Sequence, residues 1–185
     1  GPRLNAAGRM DDMSVGIECL LAQTEAEALQ LAQRLEDLNR QRKSVEQGMQ
    51  QDVEQQLQTL DMENLPFGLC VYQPDWHQGV TGILAARLKE RHHRPVIAFA
   101  DAGDGQLKGS ARSVAGLHVR DALEAVASRN PGMIAKFGGH AMAAGLTLAQ
   151  ECFDDFSRAF DQQVRSCLSE DDLQGLWVTD GELCR

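Results

Sequence analysis

Several features that would define a functional class are scarce or missing in this sequence. Aromatic residues make up only 5% of the 185 residues, so aliphatic side chains must build most of any core. The five cysteines form no CxxC pair and no Cys/His cluster at zinc spacing, which argues against a zinc site and a disulfide framework. No apolar run approaches the roughly 20 residues that a membrane helix needs. The scattered cysteines therefore predict free thiols in a reducing cytosol.

Net positive charge is also missing. The 27 acidic residues outnumber the 18 lysines and arginines, which gives a formal net charge of −9. A protein that binds nucleic acid by itself is usually basic, because neutralising phosphates dominates its affinity, so this total argues against nucleic acid. The distribution of charge matters more than the sum. Acidic residues crowd positions 151–161 and 170–172, whereas arginines recur beside glycine-rich motifs.

What the sequence does contain is a long helical pattern. Leucine, valine and methionine recur at three- and four-residue steps over residues 31–60. Thr24 and Glu27 can form a capping box, and Pro66 should stop the helix. We predict one helix from about Thr24 to Glu63, roughly 54 Å long. Such a rod is too long for a compact domain of this size, so we expect it to project and to join two bodies.

The rest of the chain predicts an α/β fold, because strand and helix patterns alternate. Residues 1–12 hold Gly, Pro and Asn at close spacing and predict a loop, followed by a short helix to about Ala22. Strands are predicted at Leu69–Tyr72, Pro95–Ala100, Gln106–Ser113 and Leu146–Ala149, and helices at Gly79–Arg91, Val119–Ser128 and Glu151–Cys167. Residues 137–145 predict a glycine-flanked loop or the start of a helix.

The first candidate binding motif is GPRLNAAGR at the beginning of the chain. Arg3 and Arg9 flank small residues, which allow a backbone to approach a ligand closely, and arginine offers a planar fork for phosphate oxygens. An ordinary loop with surface arginines is the alternative interpretation.

The second motif, WHQGVTGILAARL, lies at a junction between a strand and a helix. A helix N-terminus favours anions, and His77 just before it can donate a hydrogen bond. The alternative is a capped helix in which Gly79 and Gly82 serve close packing.

The third motif has two parts, GSARS and FGGHAMAAG. Ser110 and Arg112 alternate with Ala111 and should share one face of a strand, where a hydroxyl and a guanidinium together suit a phosphate. In the second part, Gly138 and Gly139 permit close backbone approach beside an imidazole. The alternative is a turn with a glycine pair and a packed histidine.

In this order, the motifs resemble the DHH phosphoesterase family, and the long gap filled by LNRQRKSVEQ is similar to that of its RecJ-type members. The resemblance covers residues 1 to about 170. It implies an N-terminal DHH domain that binds Mn²⁺ or Mg²⁺, a long connecting helix and a DHH-associated domain, with a DNA strand between the two domains. The implied activity is 5′→3′ degradation of single-stranded DNA in recombination and repair, in the bacterial cytoplasm.

The resemblance implies substrate contacts by the residues that match the family's motifs. These are Arg3, Arg9, His77, Ser110, Arg112, Gly138, Gly139 and His140. No Asp-His-His triplet occurs in the sequence, so no catalytic residue and no metal ligand is carried over. We expect this chain to bind no metal and to lack nuclease activity by itself, even with Mn²⁺. The implied partners are single-stranded DNA, the DHH domain, a single-strand-binding protein and a RecQ-type helicase. No association with a membrane is implied.

The expected division of the chain follows from the same resemblance. Residues 1–23 are the end of the DHH-side region, and residues 24–65 form the connecting helix. Residues 66–170 form the DHH-associated domain with a mixed sheet. Residues 171–185 begin an OB-like domain, with a strand in LQGLWVTDGEL. Two alternatives stay open. One is a DHH-family phosphodiesterase for short oligonucleotides or cyclic dinucleotides, and the other is a non-catalytic interaction module built around the long helix.

Overall fold

The computed structural model describes residues 1–58 and 65–174, which form helices around one mixed sheet. The elements are α1 (Pro2–Met10), α2 (Ser14–Leu21), α3 (Glu25–Gln58), β1 (Leu69–Tyr72), α4 (Gln78–His92), β2 (Val96–Gly103), β3 (Gln106–Arg112), α5 (Val119–Arg129), β4 (Lys136–Gly139), β5 (Ala143–Ala149) and α6 (Phe153–Arg165). Short 3-10 turns lie at Gln150–Cys152 and Asp171–Leu173. None of the helices in these ranges is both long and apolar enough to cross a membrane.

The five-stranded sheet has the order β1-β2-β3-β5-β4. Strands β1 and β2 are parallel, and α4 supplies the crossover that a parallel pair requires. The other neighbouring pairs are antiparallel. The β2–β3 turn has positive φ at Gly103, Asp104 and Gly105, residue types that tolerate this conformation. The predicted α/β class and the mixed sheet are therefore confirmed.

The two faces of the sheet are covered unequally. Helices α5 and α6 cover one face, where Phe99, Phe156 and Phe160 are fully buried. On the other face, Val80 and Leu84 of α4 pack over the half formed by β1 and β2. The remaining half is what we call the open sheet face. Its partly or fully exposed positions are Gln106, Lys108, Ser110, Arg112, Lys136, Gly138, Ala143, Gly145, Thr147 and Ala149.

The long helix is confirmed as one continuous element. Helix α3 has 34 residues, about 51 Å at the usual rise, and it runs through Gly48 without a break. The expected projection from the α/β body does not hold for its second half, because Met49 and Val53 are buried in one cluster with residues of α4 and β1. Trp76 fixes this contact by donating from Nε1 to Asp52 Oδ2 at 3.0 Å. The predicted end of the helix lies outside the described residues.

Two local predictions are wrong. Residues 2–10 form α1 rather than a loop, because Ala6 and Ala7 are fully buried and small side chains let the helix pack closely. Residues 136–149 form the β4–β5 hairpin rather than a loop or helix start. Gly139 has φ +149°, and a Cβ there would lie 2.4 Å from the Ala143 carbonyl oxygen, so its glycine serves this hairpin.

The remaining local predictions are confirmed within the described ranges. The predicted strands and helices after residue 66 occur within a few residues of their expected bounds, apart from the hairpin. Thr24 Oγ1 accepts from Glu27 N at 3.3 Å, as expected of a cap. Cys19, Cys70, Cys152 and Cys167 are free thiols. The strand predicted in LQGLWVTDGEL lies almost entirely outside the described residues.

Candidate functional site

A cleft of about 450 Å³ lies where α1, α4 and β3 meet. It combines residues from all three sequence motifs. The first contributes Arg9, the second contributes Gln78, Gly79 and Gly82, and the third contributes Ser110 and Arg112. Residues far apart in the chain are thus brought to one place.

Two glycines of α4 make this meeting possible. A Cβ at Gly79 would lie 2.1 Å from the carbonyl oxygen of Arg9, so only glycine lets the end of α1 dock on the start of α4. A Cβ at Gly82 would lie 3.0 Å from Nη2 of Arg112, so the guanidinium lies directly against the helix. Gly79 and Gly82 therefore do serve close packing, and the groups that approach them, the end of α1 and the Arg112 guanidinium, line the cleft.

Four charged side chains line the cleft: Arg87 pairs with Glu90 at 3.7 Å, whereas the charges of Arg9 and Arg112 are not balanced locally. Within the described ranges, neither Arg9 nor Arg112 forms an ion pair. Arg112 instead donates from Nη1 to the Ala111 carbonyl at 2.8 Å. Burial lowers the pKa of Arg112, and the neighbouring Arg9 guanidinium lowers it further. Two guanidiniums in this state form a site that favours an anion.

The hydroxyl of Ser110 lies at the edge of the same cleft. Its Oγ is 3.0 Å from Oγ1 of the buried Thr81, which itself donates to the Gln78 carbonyl at 2.9 Å. A hydroxyl has one proton, so Ser110 is the donor in this pair and Thr81 the acceptor. Thr81 orients Ser110 and was not singled out from the sequence. Its position in the first turn of α4, within QGVTG, is the signal that could have found it.

Two predicted site residues lie outside the lining of the cleft. Arg3 is exposed and forms an ion pair with Glu36 of α3. His77 is the N-cap of α4, where its Nδ1 accepts a hydrogen bond from Gly79 N at 3.1 Å. These contacts fit the surface-arginine and capped-helix interpretations, and a substrate contact by either residue stays a prediction.

The GGH motif lies further along the open sheet face. Ser110 is opposite Gly145 on β5, and Gly145 is opposite Gly138 on β4. Two strand spacings separate Ser110 from Gly138, about 10 Å in total. His140 is exposed in the hairpin loop, whose Met142 carbonyl accepts from Ser113 N at 3.0 Å. The two parts of the third motif therefore form one structural unit.

No group of three or more His, Cys, Asp or Glu side chains in residues 1–58 and 65–174 is arranged to hold a metal ion. These residues do not fit a metal centre, and we assign no metal chemistry to them.

A model of the DHHA1 domain matches residues 66–166. The chain belongs to the DHHA1 domain family. The match covers all five strands and helices α4 to α6. It therefore includes α4 and β3, which line the cleft, and the strands of the open sheet face. Arg9 comes from outside this DHHA1 segment.

Comparison with known proteins extends the likeness beyond the DHHA1 segment. Over 185 residues, 99% of this chain, the sequence is 56% identical to the single-stranded-DNA-specific exonuclease RecJ of Escherichia coli and 55% identical to that of Haemophilus influenzae. The chain covers 32% of each of these proteins, about a third of their length. A crystal structure of RecJ in complex with Mn²⁺ from Thermus thermophilus superposes with a TM-score of 0.77 at 30% identity, over 89% of this chain and 23% of that chain.

Proposed function

We propose that this chain is the substrate-positioning part of a single-stranded-DNA-specific exonuclease, which hydrolyses phosphodiester bonds from the 5′ end during DNA repair and recombination. The observation that carries the proposal is the pair of guanidiniums, Arg9 and Arg112, which face one cleft without an ion-pair partner in the described ranges. The identity to RecJ proteins supports single-stranded DNA as the substrate.

Each group in the cleft has a distinct task in this proposal. The Arg112 fork binds two oxygens of one phosphate, because its planar geometry suits bidentate contact. Ser110 donates its proton to the same phosphate once Thr81 turns to donate to Ser110. Arg9 adds a second positive charge from α1.

Positioning is the contribution that these residues make to hydrolysis. Holding one phosphate fixes the distance to the bond that is cleaved, which lowers the entropic part of the barrier. The RecJ crystal structures hold Mn²⁺ or Mg²⁺. We propose that such ions act in a DHH domain of the full-length protein and that this domain faces the cleft. We also propose that the full-length protein acts in the cytoplasm, with a single-strand-binding protein and a RecQ-type helicase as partners.

Equilibrium binding tests the proposal. Fluorescence anisotropy would compare a 5′-phosphorylated single strand, its 5′-hydroxyl counterpart and a blunt duplex on the full-length protein in EDTA. We expect the 5′-phosphorylated single strand to bind most tightly. If a cyclic dinucleotide displaces the labelled strand at a lower concentration than unlabelled single-stranded DNA does, the result would favour the alternative phosphodiesterase. Absence of binding to any of these ligands would favour the interaction module.

Digestion of end-labelled single strands tests the polarity. With Mn²⁺ or Mg²⁺ restored, the full-length protein should release a 5′ label as a mononucleotide at the earliest times, whereas a 3′ label should stay on long fragments. The reverse order of release would overturn the 5′→3′ assignment.

A further inference from the structure

The open sheet face carries a second charged row beside the cleft. Lys108 on β3 and Lys136 on β4 both lie opposite Thr147 on β5. Directly opposed residues share a face of the sheet, so the three side chains form a row across three strands. We call Lys108, Thr147 and Lys136 the lysine row.

The adjacent row lies between the lysine row and Arg112. It consists of Ser110, Gly145 and Gly138, which are opposed in the same register. We call it the glycine row. Two residues along a strand span about 7 Å, so Lys108 and Ser110 lie about that far apart along β3.

The charge of the lysine row is unusual for this protein. The whole sequence has four lysines and a net charge of −9, yet two of the four lie in this row. None of the positions of the open sheet face is an aspartate or a glutamate. Within the described ranges neither lysine forms an ion pair, in contrast to most arginines of α3, α4 and α6. The face is therefore a locally positive strip on an acidic molecule, which favours a polyanion.

A groove lies beside the two lysines. Its volume is about 400 Å³, and it is lined by Lys108, Lys136, Gly138, Gly145 and Thr147 among others. A Cβ at Gly138 would meet nothing within 4 Å, and one at Gly145 would meet only a carbonyl oxygen at 3.9 Å, so packing does not require glycine at either position. Phe137 also lines the groove, but it is partly buried against the core on the other side of the sheet, and no other aromatic residue lines the groove on which a base could stack.

We propose that the lysine row binds a second phosphate of the same single strand, next to the phosphate held by Ser110 and Arg112. The strand then crosses the glycine row through its sugar-phosphate backbone, with its bases directed away from the sheet. This inference rests on the proposed function. Lysine suits the task because its ammonium is a compact point charge that contacts phosphate without a fixed geometry. Contacts to phosphate carry no base information, so the row supplies affinity without sequence preference.

The salt dependence of binding tests the proposal directly. Each phosphate contact to a single strand contributes about 0.7 to the slope of log Kobs against log salt concentration. In the full-length protein in EDTA, the double variant Lys108→Ala/Lys136→Ala should reduce the magnitude of this negative slope for a 5′-phosphorylated oligothymidylate by about 0.7, because the row contacts one phosphate. A 5′-mononucleotide reaches only the Arg112 site, so its Kd should not change.

Two further variants separate a binding role from other effects. Lys89→Ala removes the same charge from the last turn of α4, outside the groove, and should leave the slope unchanged. Lys108→Gln/Lys136→Gln keeps long polar side chains on the strands and should reduce the magnitude of the slope as much as the alanine variant, with the melting temperature unchanged. Replacing the bases near the 5′ end with abasic sites should leave affinity within about twofold if no base is stacked.

The outcomes distinguish this inference from the proposed function. Wild-type protein that binds the single strand, together with a double variant that keeps the wild-type slope, overturns the lysine row alone. Wild-type protein that does not prefer single strands overturns the proposed function. A large loss of affinity for the abasic oligonucleotide would mean that bases contact the groove, and that result also contradicts the backbone path.

Discussion

Arg112 is the residue that we propose binds phosphate with both arms of its guanidinium. Its guanidinium is partly buried beside Arg9, and burial followed by that neighbouring charge lowers its pKa. A bound phosphate would supply the missing negative charge. Because a charge-assisted hydrogen bond contributes about 1.5–3 kcal/mol, Arg112→Ala should weaken binding of 5′-phosphorylated single strands roughly 10- to 150-fold in anisotropy titrations of the full-length protein.

The comparison with Arg112→Lys separates geometry from charge. Lysine keeps the charge but loses the planar fork, so it should recover only part of the affinity. Arg158→Ala, on the exposed surface of α6, is the matched control and should bind like the wild type. If Arg112→Ala instead lowers the melting temperature by many degrees and the folded fraction binds DNA normally, Arg112 supports the fold and the phosphate role is wrong.

Gly138 and Gly139, adjacent in the GGH motif, differ in whether the fold requires glycine at the position. Gly138→Ala adds a methyl group that touches nothing in the protein, so the melting temperature should stay the same or rise slightly. The same methyl narrows the groove, and we expect weaker binding of single strands. Gly139→Ala should instead destabilise the fold by about 1–3 kcal/mol, because φ is +149° and the Cβ overlaps the Ala143 carbonyl.

Thermal melts and anisotropy titrations of both glycine variants distinguish these roles. Wild-type affinity in Gly138→Ala would show that no ligand passes close to this position, and it would count against the path across the glycine row.

At the scale of elements, α3 contains a position where its stability can be raised. Gly48 is exposed in the middle of the helix, and nothing lies within 4 Å of an added Cβ. Gly48→Ala should therefore raise the free energy of unfolding by about 1 kcal/mol, since alanine has the higher helix propensity. For a protein of this size the melting temperature should rise by roughly 2–4 °C, measured by circular dichroism. An unchanged or lower melting temperature would contradict the prediction.

The elements that sequence could predict are those with a strong local pattern. Helices α3 and α6 have regular apolar periodicity, and β2 is a run of apolar residues. Helix α1 was missed because its glycine, proline and asparagine are turn formers, whereas its helix depends on burying Ala6 and Ala7 against other elements. Strand β4 was missed because a glycine-rich segment becomes a strand only through pairing with β5.

The candidate site was predictable in part for the same reason. Alternation along β3 correctly indicated that Ser110 and Arg112 share a face. The contact between Arg9 and the start of α4 depends on packing at Gly79, which no local pattern reports. The cap made by His77 likewise depends on where the helix begins, and that position decides which ring nitrogen stays available.

At the scale of the whole molecule, the cleft depends on how two groups of elements are joined. Helices α1 to α3 have their own small core around Ala7, Val15 and Leu35. The sheet and α4 to α6 form the larger body. The first group carries Arg9 and the second carries Arg112, so the separation of the two guanidiniums is set by the docking of one group on the other.

Gly79 is the position at which this docking can be tested without replacing either arginine. Gly79→Ala places a Cβ 2.1 Å from the Arg9 carbonyl oxygen, and backbone atoms cannot move aside as a flexible side chain can. Overpacking of this kind costs about 2–3 kcal/mol, so the melting temperature should fall by roughly 4–12 °C. Because Arg9 is displaced from Arg112, affinity for 5′-phosphorylated single strands should also fall in the fraction that stays folded.

The double variant Gly48→Ala/Gly79→Ala separates the two effects of the Gly79 change. The two positions share no contact within 4 Å of their added methyl groups, so their free-energy changes should add. The Gly48 change should restore about 1 kcal/mol of stability, while the loss of affinity should remain, because the docking of α1 on α4 is still disturbed. If affinity returns together with stability, the Gly79 variant binds poorly only because it unfolds, and the geometry of Arg9 relative to Arg112 does not determine binding.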